Sequence, residues 1–229
     1  IDHNGGAGVN QVYNGNSAFN RGFAMMYDDP DKGTSPCAYP ANTVAAATFN
    51  LKLMEEYGRA WGEDALWAGY SGLYGPGNNG HRGAYGGRTF EYYSEDPILG
   101  GRICAMVVKG MVSKGIYTYL KHAILNEQEE KRTMLGTWVN EQTIREIYLR
   151  QTELAIVEGG SQCVMTGYNK IGALWTGRQG FVNTVLHEEF GMKGFAVTDF
   201  VTGTSWKELK LSVLTGNGLV DRDFSAENP

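Results

Sequence analysis

Apolar residues spaced three or four positions apart mark four segments of this 229-residue chain, and such spacing is typical of amphipathic helices. Asp96, which precedes Pro97, and Asn140 both stand where a polar side chain would cap the first turn of a helix. Glycines close two of the segments. The predicted helices are Thr43 to about Trp61, Pro97 to Gly115, Asn140 to Gly159, and roughly Phe181 to Phe190.

Shorter runs of apolar and β-branched residues, typical of strands, alternate with these helices. They are Trp67–Tyr74, Ile116–Leu120, Cys163–Asn169 and Gly194–Asp199. Strands and helices that alternate with short connections predict parallel strands joined by right-handed crossovers. Four strands are fewer than a closed eight-stranded barrel needs. The pattern therefore predicts an α/β fold, either an open α/β layer or part of a (β/α) barrel.

Composition narrows the class of protein. Apolar residues make up 42% of the chain, and the net charge of −5 comes from interspersed acids and bases. This is typical of a soluble globular protein without affinity for nucleic acid. No apolar run reaches the ~20 residues of a membrane span, and the segment beginning at Ile1 does not resemble a signal peptide. We expect one domain over residues 1–229 and a soluble protein, cytoplasmic or secreted.

Three kinds of site are disfavoured by spacing. Cys37, Cys104 and Cys163 are too scattered for a disulfide framework or a zinc site, and His and carboxylates do not recur at metal-ligand spacing. The glycine-rich loop over residues 75–88 lacks the Gly-Lys-Ser/Thr ending of a phosphate-binding loop. We therefore expect no metal and no cofactor. Residues 1–40 have no periodicity and predict a long loop, of the kind that forms lids or binding walls.

Polar residues gather at the predicted strand ends. Asp199 follows an apolar strand, as Lys121 and His122 follow another. Carboxyl ends of parallel strands share one rim, where barrel enzymes carry their chemistry. Asp199 alone would fit a helix cap or a turn better than a catalytic role. The full set on this rim is Arg88, Glu91, Lys121, His122, Met165, Tyr168 and Asp199. Many hydrogen-bond donors, one carboxylate and aromatic faces suit a neutral polyhydroxylated ligand.

Five blocks of sequence resemble glycoside hydrolase family 3, the β-glucosidase family, in the family's order and spacing. They are Gly87–Pro97, Lys114–His122, Glu141–Leu149, Val164–Lys170 and Gly194–Phe200. The resemblance implies a TIM-type (β/α) barrel. It also implies a retaining hydrolase that removes a terminal β-D-glucosyl residue from a β-glucoside or short β-glucan oligosaccharide.

Residue roles follow from the same resemblance. Asp199 matches the family's nucleophile. Arg88, Lys121 and His122 match residues that hold the sugar hydroxyls in the first subsite, while Met165 and Tyr168 match positions that line it. A retaining mechanism also needs a second carboxyl group as acid/base.

Two departures from the family pattern bear on function. Asn4 aligns with an Asp that grips sugar hydroxyls, and an amide would bind them less strongly than a carboxylate. No block after Asp199 resembles the acid/base segment, nor the family's separate α/β sandwich domain. The sequence thus predicts an incomplete barrel whose acid/base comes from the rest of the polypeptide or a complementary chain. Two alternatives stay open, a catalytically silent sugar-binding protein and a β-xylosidase-type specificity.

Overall fold

The computed structural model describes residues 39–67, 71–199 and 213–219. The predicted loop over residues 1–40 lies outside the described residues, apart from Tyr39 and Pro40. Asn4 lies outside them as well.

Five parallel strands form the main sheet, in the order β1-β2-β4-β7-β8. Their bounds are Gly72–Leu73 (β1), Tyr117–Ala123 (β2), Cys163–Thr166 (β4), Ala196–Val197 (β7) and Asn217–Leu219 (β8). The four predicted strands are all present in the predicted order. The fifth, β8, was missed because a three-residue strand with glycine at its centre has no apolar run. Parallel pairing places the carboxyl ends of all five strands at one edge.

A smaller three-stranded sheet was also not predicted. It consists of Gly136–Thr137 (β3), Lys170–Ile171 (β5) and Leu174–Trp175 (β6), in the order β3-β5-β6. Strands of two residues are too short to show the alternation that marks a strand. This sheet follows β2 and β4 in the chain.

Helices connect the strands. Their bounds are Asn42–Ala46 (α1), Leu51–Trp67 (α2), Pro97–Val112 (α3), Glu141–Thr143 (α4), Arg150–Val157 (α5) and Gly180–Thr184 (α6). A π-helical turn over Ile144–Tyr148 joins α4 to α5, and another over Val185–Glu189 extends α6. No helix in the described ranges is both long enough and apolar enough to cross a membrane.

The prediction of one continuous helix from Thr43 to Trp61 was wrong. It is split into α1 and α2 because Phe49, with φ of 51°, has a left-handed backbone that a right-handed helix cannot include. Helix α2 then runs to Trp67, which leaves only Gly72–Leu73 of the strand predicted over Trp67–Tyr74.

Two predicted helix starts are confirmed by their caps. The Asp96 carboxylate accepts hydrogen bonds from the backbone N–H groups of Ile98 and Leu99, and the Asn140 side chain accepts one from Thr143. Such caps satisfy donors that the first helical turn leaves free.

The core has two parts, one on each face of the main sheet. Successive strand residues point to opposite faces. Leu120, Val164 and Ala196 pack with the helices in the larger cluster. The opposite face carries a smaller cluster, formed by Tyr74, Tyr119, Cys163, Met165 and Val197, that contains no residue of a described helix. Helices on one face and strand side chains alone on the other are the arrangement of a (β/α) barrel rather than of an open sheet covered on both faces.

Helices α2 and α3 pack backbone to backbone. A Cβ atom added at Gly58 would lie 2.1 Å from the Val107 carbonyl oxygen, and one at Gly110 would lie 2.3 Å from that of Glu55. Glycine is required at both positions, because any side chain would push the helices apart.

Candidate active site

Strand β7 brings Asp199 to the carboxyl edge of the sheet. The Asp199 backbone N–H donates to the Thr166 carbonyl at 3.1 Å, which fixes the residue beside the end of β4. Met165 of β4 pairs in register with Lys121 of β2 on one side and with Val197 of β7 on the other. The three neighbouring strands thus place Lys121, His122 and Asp199 on a common edge.

His122 makes the direct contact with Asp199. Its Nε2 atom lies 3.3 Å from Asp199 Oδ2, and its Nδ1 atom lies 3.2 Å from the Tyr92 hydroxyl. With the ring proton on Nε2, His122 donates to Asp199, and its Nδ1 atom competes with the Asn126 carbonyl for the single proton of the Tyr92 hydroxyl. The His122 side chain is only 1% exposed. Burial and the charge of Arg88 lower its pKa to about 4, so the ring is neutral at neutral pH.

Arg88 reaches the site from the end of the glycine-rich loop. Its NH2 atom lies 3.3 Å from His122 Nε2, and its NH1 atom donates to Glu129 at 3.2 Å. Its Nε atom donates to Glu91, which lies one turn further along the short 3₁₀-helix Thr89–Glu91. Burial would lower the pKa of Arg88, but Tyr92 and these two acids raise it above its usual value.

Lys121 is the second cation of the site and is 6% exposed. Its Nζ atom lies 3.8 Å from Glu91 Oε2. Glu91 therefore lies between Lys121 and Arg88. Burial would raise the pKa of Glu91, but these two cations hold it below its usual value. Glu91 was predicted to lie on the rim without a role, and its spacing of three residues from Arg88 was the available signal.

Asp199 is ionised in this setting. Burial alone would raise its pKa, but the hydrogen bond from His122 and the charges of Lys121 and Arg88 outweigh burial and hold the pKa of Asp199 well below its usual range. The site therefore presents a carboxylate among donors, with two cations close by.

Tyr168 also contacts this carboxylate. Its hydroxyl is hydrogen-bonded to Asp199, and burial together with the Asp199 charge raises the pKa of Tyr168 above its usual value. The Arg132 guanidinium covers the Tyr168 ring, 4.2 Å from the ring centroid. Tyr168 therefore belongs to the polar cluster.

Met165 does not lie in this polar cluster. It is buried in the apolar cluster on the inner face of the sheet, below the strand ends. The structure thus brings together five of the seven predicted site residues, Arg88, Lys121, His122, Tyr168 and Asp199, and separates Met165 from their polar contacts.

Several supporting residues were missed from the sequence. The Asn79 side chain accepts from the His122 N–H at 2.6 Å and donates to the His122 carbonyl at 2.9 Å, like a neighbouring strand. The Tyr92 hydroxyl lies 3.0 Å from the Asn126 carbonyl. Asn79 lies in a loop without periodicity and Tyr92 in an aromatic pair, so no pattern distinguished them from solvent-facing or core residues.

The arrangement suits covalent catalysis by a carboxylate. Asp199 is ionised, partly accessible and oriented by two side chains. No three His, Cys, Asp or Glu side chains of the described residues are grouped to hold a metal ion. The parallel strands and the one-sided helices define part of a (β/α) barrel, with the polar cluster at its strand ends.

The family model of the glycosyl hydrolase family 3 N terminal domain matches residues 31–210. The chain belongs to this family, as the five sequence blocks predicted.

Known relatives agree with this assignment. The chain is 38% identical over 171 residues to a β-glucosidase of Ruminococcus albus, covering 74% of this chain and 18% of the relative. It is 36% identical over 177 residues to a β-glucosidase of Rhizobium radiobacter, covering 77% and 22%. The chain thus spans about a fifth of the length of these relatives.

Solved structures show the same fold. β-Glucosidase 3B from Thermotoga neapolitana, determined in complex with glucose, superposes with a TM-score of 0.76 at 38% identity, covering 80% of this chain and 25% of that one. A β-glucosidase from Paenibacillus barengoltzii superposes with a TM-score of 0.78 at 32% identity, covering 84% and 22%. The predicted TIM-type α/β fold is confirmed, and the strands described here form part of the barrel without closing it.

Proposed function

We propose that the protein is a retaining glycoside hydrolase that removes a non-reducing terminal β-D-glucosyl residue through a covalent intermediate on Asp199. One observation carries the proposal: an ionised Asp199 carboxylate, bound by His122 and Tyr168, lies beside two cations at the strand ends. The relatives named above as β-glucosidases support the choice of substrate.

The reaction would proceed in two displacements. In the first, an Asp199 oxygen attacks the anomeric carbon, the bond to the leaving oxygen breaks, and a second carboxyl group about 5–5.5 Å away protonates that oxygen. In the second, the same carboxyl group takes a proton from water, whose oxygen displaces Asp199 and restores the original configuration. The second carboxyl group would come from the rest of the polypeptide or a complementary chain.

Residues around Asp199 would divide the remaining work. The His122 and Tyr168 donors orient the carboxylate, and the nearby positive charges keep it ionised until it attacks. Lys121, Arg88 and His122 would bind the sugar hydroxyls. Glu91 would hold the two cations apart and in place. Met165 would line the first subsite. The uncharged amide of Asn4 would form a hydrogen bond with a sugar hydroxyl.

Trapping with a 2-deoxy-2-fluoro-β-glucoside tests the proposal. The fluorine slows hydrolysis of the intermediate, so the sugar should stay esterified to the intact gene product. Peptide mapping should then find the label on Asp199. Label on another residue of a preparation that turns over an aryl β-glucoside would refute the nucleophile assignment.

Substrate specificity needs a separate measurement. Aryl β-glucoside and aryl β-xyloside are compared at equal concentration, and we expect the glucoside to be cleaved faster. Faster cleavage of the xyloside would favour the β-xylosidase-type alternative. Calorimetric binding of glucose with no turnover of either substrate would favour the silent sugar-binding alternative.

A further inference from the structure

His122 lies at an irregularity of the main sheet. Strand β4 pairs with Lys121 and with Ala123, but the register shifts between these two residues, so within the described sheet no β4 residue pairs with His122. A residue at such a bulge is left out of the strand pairing. His122 is nevertheless buried, so its backbone N–H and carbonyl need partners from elsewhere.

On the other side of β2 the glycine-rich loop takes the place of a strand. The Lys121 N–H donates to the Pro76 carbonyl at 3.2 Å, and the Asn78 N–H donates to the Lys121 carbonyl at 2.7 Å. Gly77 pairs with Lys121 as a parallel bridge. The backbone of this loop therefore continues the pairing of β1 with β2 as far as Lys121.

Asn79 extends this pairing by one residue with its side chain. Its Oδ1 atom accepts from the His122 N–H at 2.6 Å, and its Nδ2 atom donates to the His122 carbonyl at 2.9 Å. Asn79 is 6% exposed, so little water can compete for these bonds. One side chain thus satisfies both backbone groups of the residue whose ring contacts Asp199.

Glu127 favours the amide orientation that this pairing needs. The Asn79 oxygen must face the His122 N–H, and the NH₂ group must face the His122 carbonyl. Glu127 accepts hydrogen bonds from the Asn79 side chain and from the Gly80 backbone. A carboxylate attracts an NH₂ group and repels an amide oxygen, so Glu127 and His122 select the same orientation.

The loop that carries Asn79 is itself fixed. The Asn42 side chain donates to the Gly77 carbonyl at 3.3 Å and to the Glu91 carbonyl at 2.7 Å. A Cβ atom at Gly77 would lie 2.6 Å from the Glu91 carbonyl oxygen, so the loop packs directly on that backbone. A firmly held loop is what accurate placement of a second side chain requires.

We propose that Asn79 is a positioning residue for the glycosidic reaction, which holds the His122 backbone so that the imidazole stays within hydrogen-bonding distance of Asp199. This inference rests on the proposed function, because the position of His122 matters for turnover only if Asp199 is the nucleophile. Asn79 acts through His122 and not through a contact with the sugar. Without Asn79 the His122 backbone would lose both partners, and the ring would orient the carboxylate less well.

The kinetics of Asn79→Ala test the effect on the reaction. We expect kcat/KM of the intact gene product for an aryl β-glucoside to fall roughly tenfold, since two buried hydrogen bonds are lost. The acidic limb of the kcat/KM profile should also move to higher pH, because a displaced His122 no longer lowers the pKa of Asp199.

Two further variants distinguish positioning from packing. Asn78→Ala is the matched control, because Asn78 is 3% exposed in the same loop but its side chain donates to Thr152. It should leave kcat/KM and the acidic limb unchanged. Asn79→Asp keeps the shape of the side chain but puts an oxygen against the His122 carbonyl, so it should lose at least as much activity as Asn79→Ala. Wild-type activity in Asn79→Asp would assign Asn79 to packing alone.

Amide hydrogen exchange measures the contact itself and separates failure of this inference from failure of the proposed function. In the wild type the His122 amide should exchange as slowly as that of Leu120, which is paired with β4. In Asn79→Ala the His122 amide should exchange at least about tenfold faster while Leu120 stays protected.

Three results would overturn the inference and leave the nucleophile assignment intact. They are rapid exchange of the His122 amide in the wild type, an unchanged rate in Asn79→Ala, and an unshifted acidic limb in that variant. The wild-type rate remains decisive for the contact if Asn79→Ala does not fold. Absence of the trapped sugar from Asp199 refutes the proposed function instead, and the exchange rates then still decide whether Asn79 holds His122.

Discussion

Asp199 follows strand β7 and Glu127 follows strand β2, and both acids are largely buried. Their pKa values are shifted in opposite directions. Burial opposes ionisation of both. Asp199 lies 3.3 Å from the Nε2 atom of His122 and faces the cations Lys121 and Arg88, whereas burial outweighs the hydrogen bonds that Glu127 receives from Gly80 and Asn79. The pKa of Asp199 therefore falls below its usual range, while that of Glu127 rises to about 7.

This difference separates two kinds of site. Around Asp199 the protein itself supplies the partners, so the carboxylate is oriented before any ligand arrives, as nucleophilic catalysis requires. Around Glu127 burial dominates, and with a pKa of about 7 the carboxyl group can either donate or accept at neutral pH. Such a group suits hydrogen bonding to its neighbours more than attack on carbon.

Removing the Asp199 carboxylate tests most directly whether Asp199 is the nucleophile. We expect Asp199→Asn to lower kcat/KM for an aryl β-glucoside by at least about 10³-fold, since loss of a covalent nucleophile removes the main reaction path. Steady-state assays measure the loss. Glu153→Gln, which alters an ion pair with Arg150 on the surface, is the control and should leave activity unchanged.

Rescue by a small anion distinguishes a lost nucleophile from a lost fold. Azide added to Asp199→Ala should restore cleavage of an activated aryl glucoside and yield the α-glycosyl azide, because azide then attacks in place of the carboxylate. An inactive variant that azide cannot rescue, although its circular dichroism matches the wild type, would count against Asp199.

Neutralising Glu91 tests whether the active site is held by paired charges. Removing one partner of a buried ion pair typically costs about 3–5 kcal/mol. We expect Glu91→Gln, which keeps some hydrogen bonding, to lower the free energy of unfolding by about 3 kcal/mol. Urea unfolding provides the measurement. Glu141→Gln removes an exposed pair with Arg145 and should cost less than about 0.5 kcal/mol. Equal costs for the two variants would show that the buried ion pairs of Glu91 do not stabilise the fold more than a surface pair does.

The order of the strands could be predicted from the sequence, but the contacts within the site could not. Runs such as Ile116–Leu120 and Gly194–Asp199 are apolar because buried parallel strands are apolar on both faces. The strand ends then followed from topology. His122 approaching Asp199 was therefore foreseeable, whereas its contact with Tyr92 depends on a loop conformation.

The small sheet and the surroundings of Trp138 could not be predicted from the sequence. Trp138 lies between a charged run and a helix cap, and its exposure arises from Gly136 and Gly172, which are far apart in the chain. The strands that bring these glycines together have only two residues each, too few to produce a pattern. Phe49 illustrates the same limit, because local apolar spacing continued across a residue whose backbone ends the helix.

The pH dependence of stability sharpens the contrast between the two acids. The pKa of Glu127 is raised from 4.5 to about 7 in the folded protein. Between these values the unfolded chain has released this proton and the folded chain has not, so the Glu127 contribution to stability falls as pH rises. Relative to Glu127→Gln, the wild type should lose roughly 2 kcal/mol from pH ~4.5 to ~7, allowing for partial screening by solvent.

Asp199 supplies the control of opposite sign. Its folded-state pKa is depressed, so its contribution is present at neutral pH and lost as pH falls toward that lower value. Urea unfolding of wild type, Glu127→Gln and Asp199→Asn is followed from pH ~7 down to ~2, because the Asp199 contribution is lost only below its unfolded-state pKa of 3.8. Parallel slopes for both variants would contradict the assignment of different electrostatic environments.

The smallest expected effect concerns Tyr92, which lies behind His122. Its hydroxyl lies 3.2 Å from His122 Nδ1 and 3.0 Å from the Asn126 carbonyl, and when it donates to Nδ1 it favours the ring tautomer able to donate to Asp199. Tyr92→Phe keeps the buried ring but leaves Nδ1 without that donor, and one such hydrogen bond is worth about 1 kcal/mol. We therefore expect kcat to fall roughly fivefold with little change in KM, because the carboxylate is less well oriented while the sugar contacts remain.

A purely structural role for Tyr92 predicts a different result. Loss of packing or stability would lower the amount of active enzyme without altering the pH profile. Loss of the donor to His122 changes the electrostatics of the ring that binds Asp199, so the acidic limb of the kcat/KM profile should shift as well. Tyr93→Phe is the matched control, since Tyr93 is an equally buried neighbour whose pKa is raised mainly by burial and which packs in the main core. An unshifted acidic limb in Tyr92→Phe, or the same shift in both variants, would place Tyr92 in the scaffold and leave His122 oriented by Arg88 and Asn79 alone.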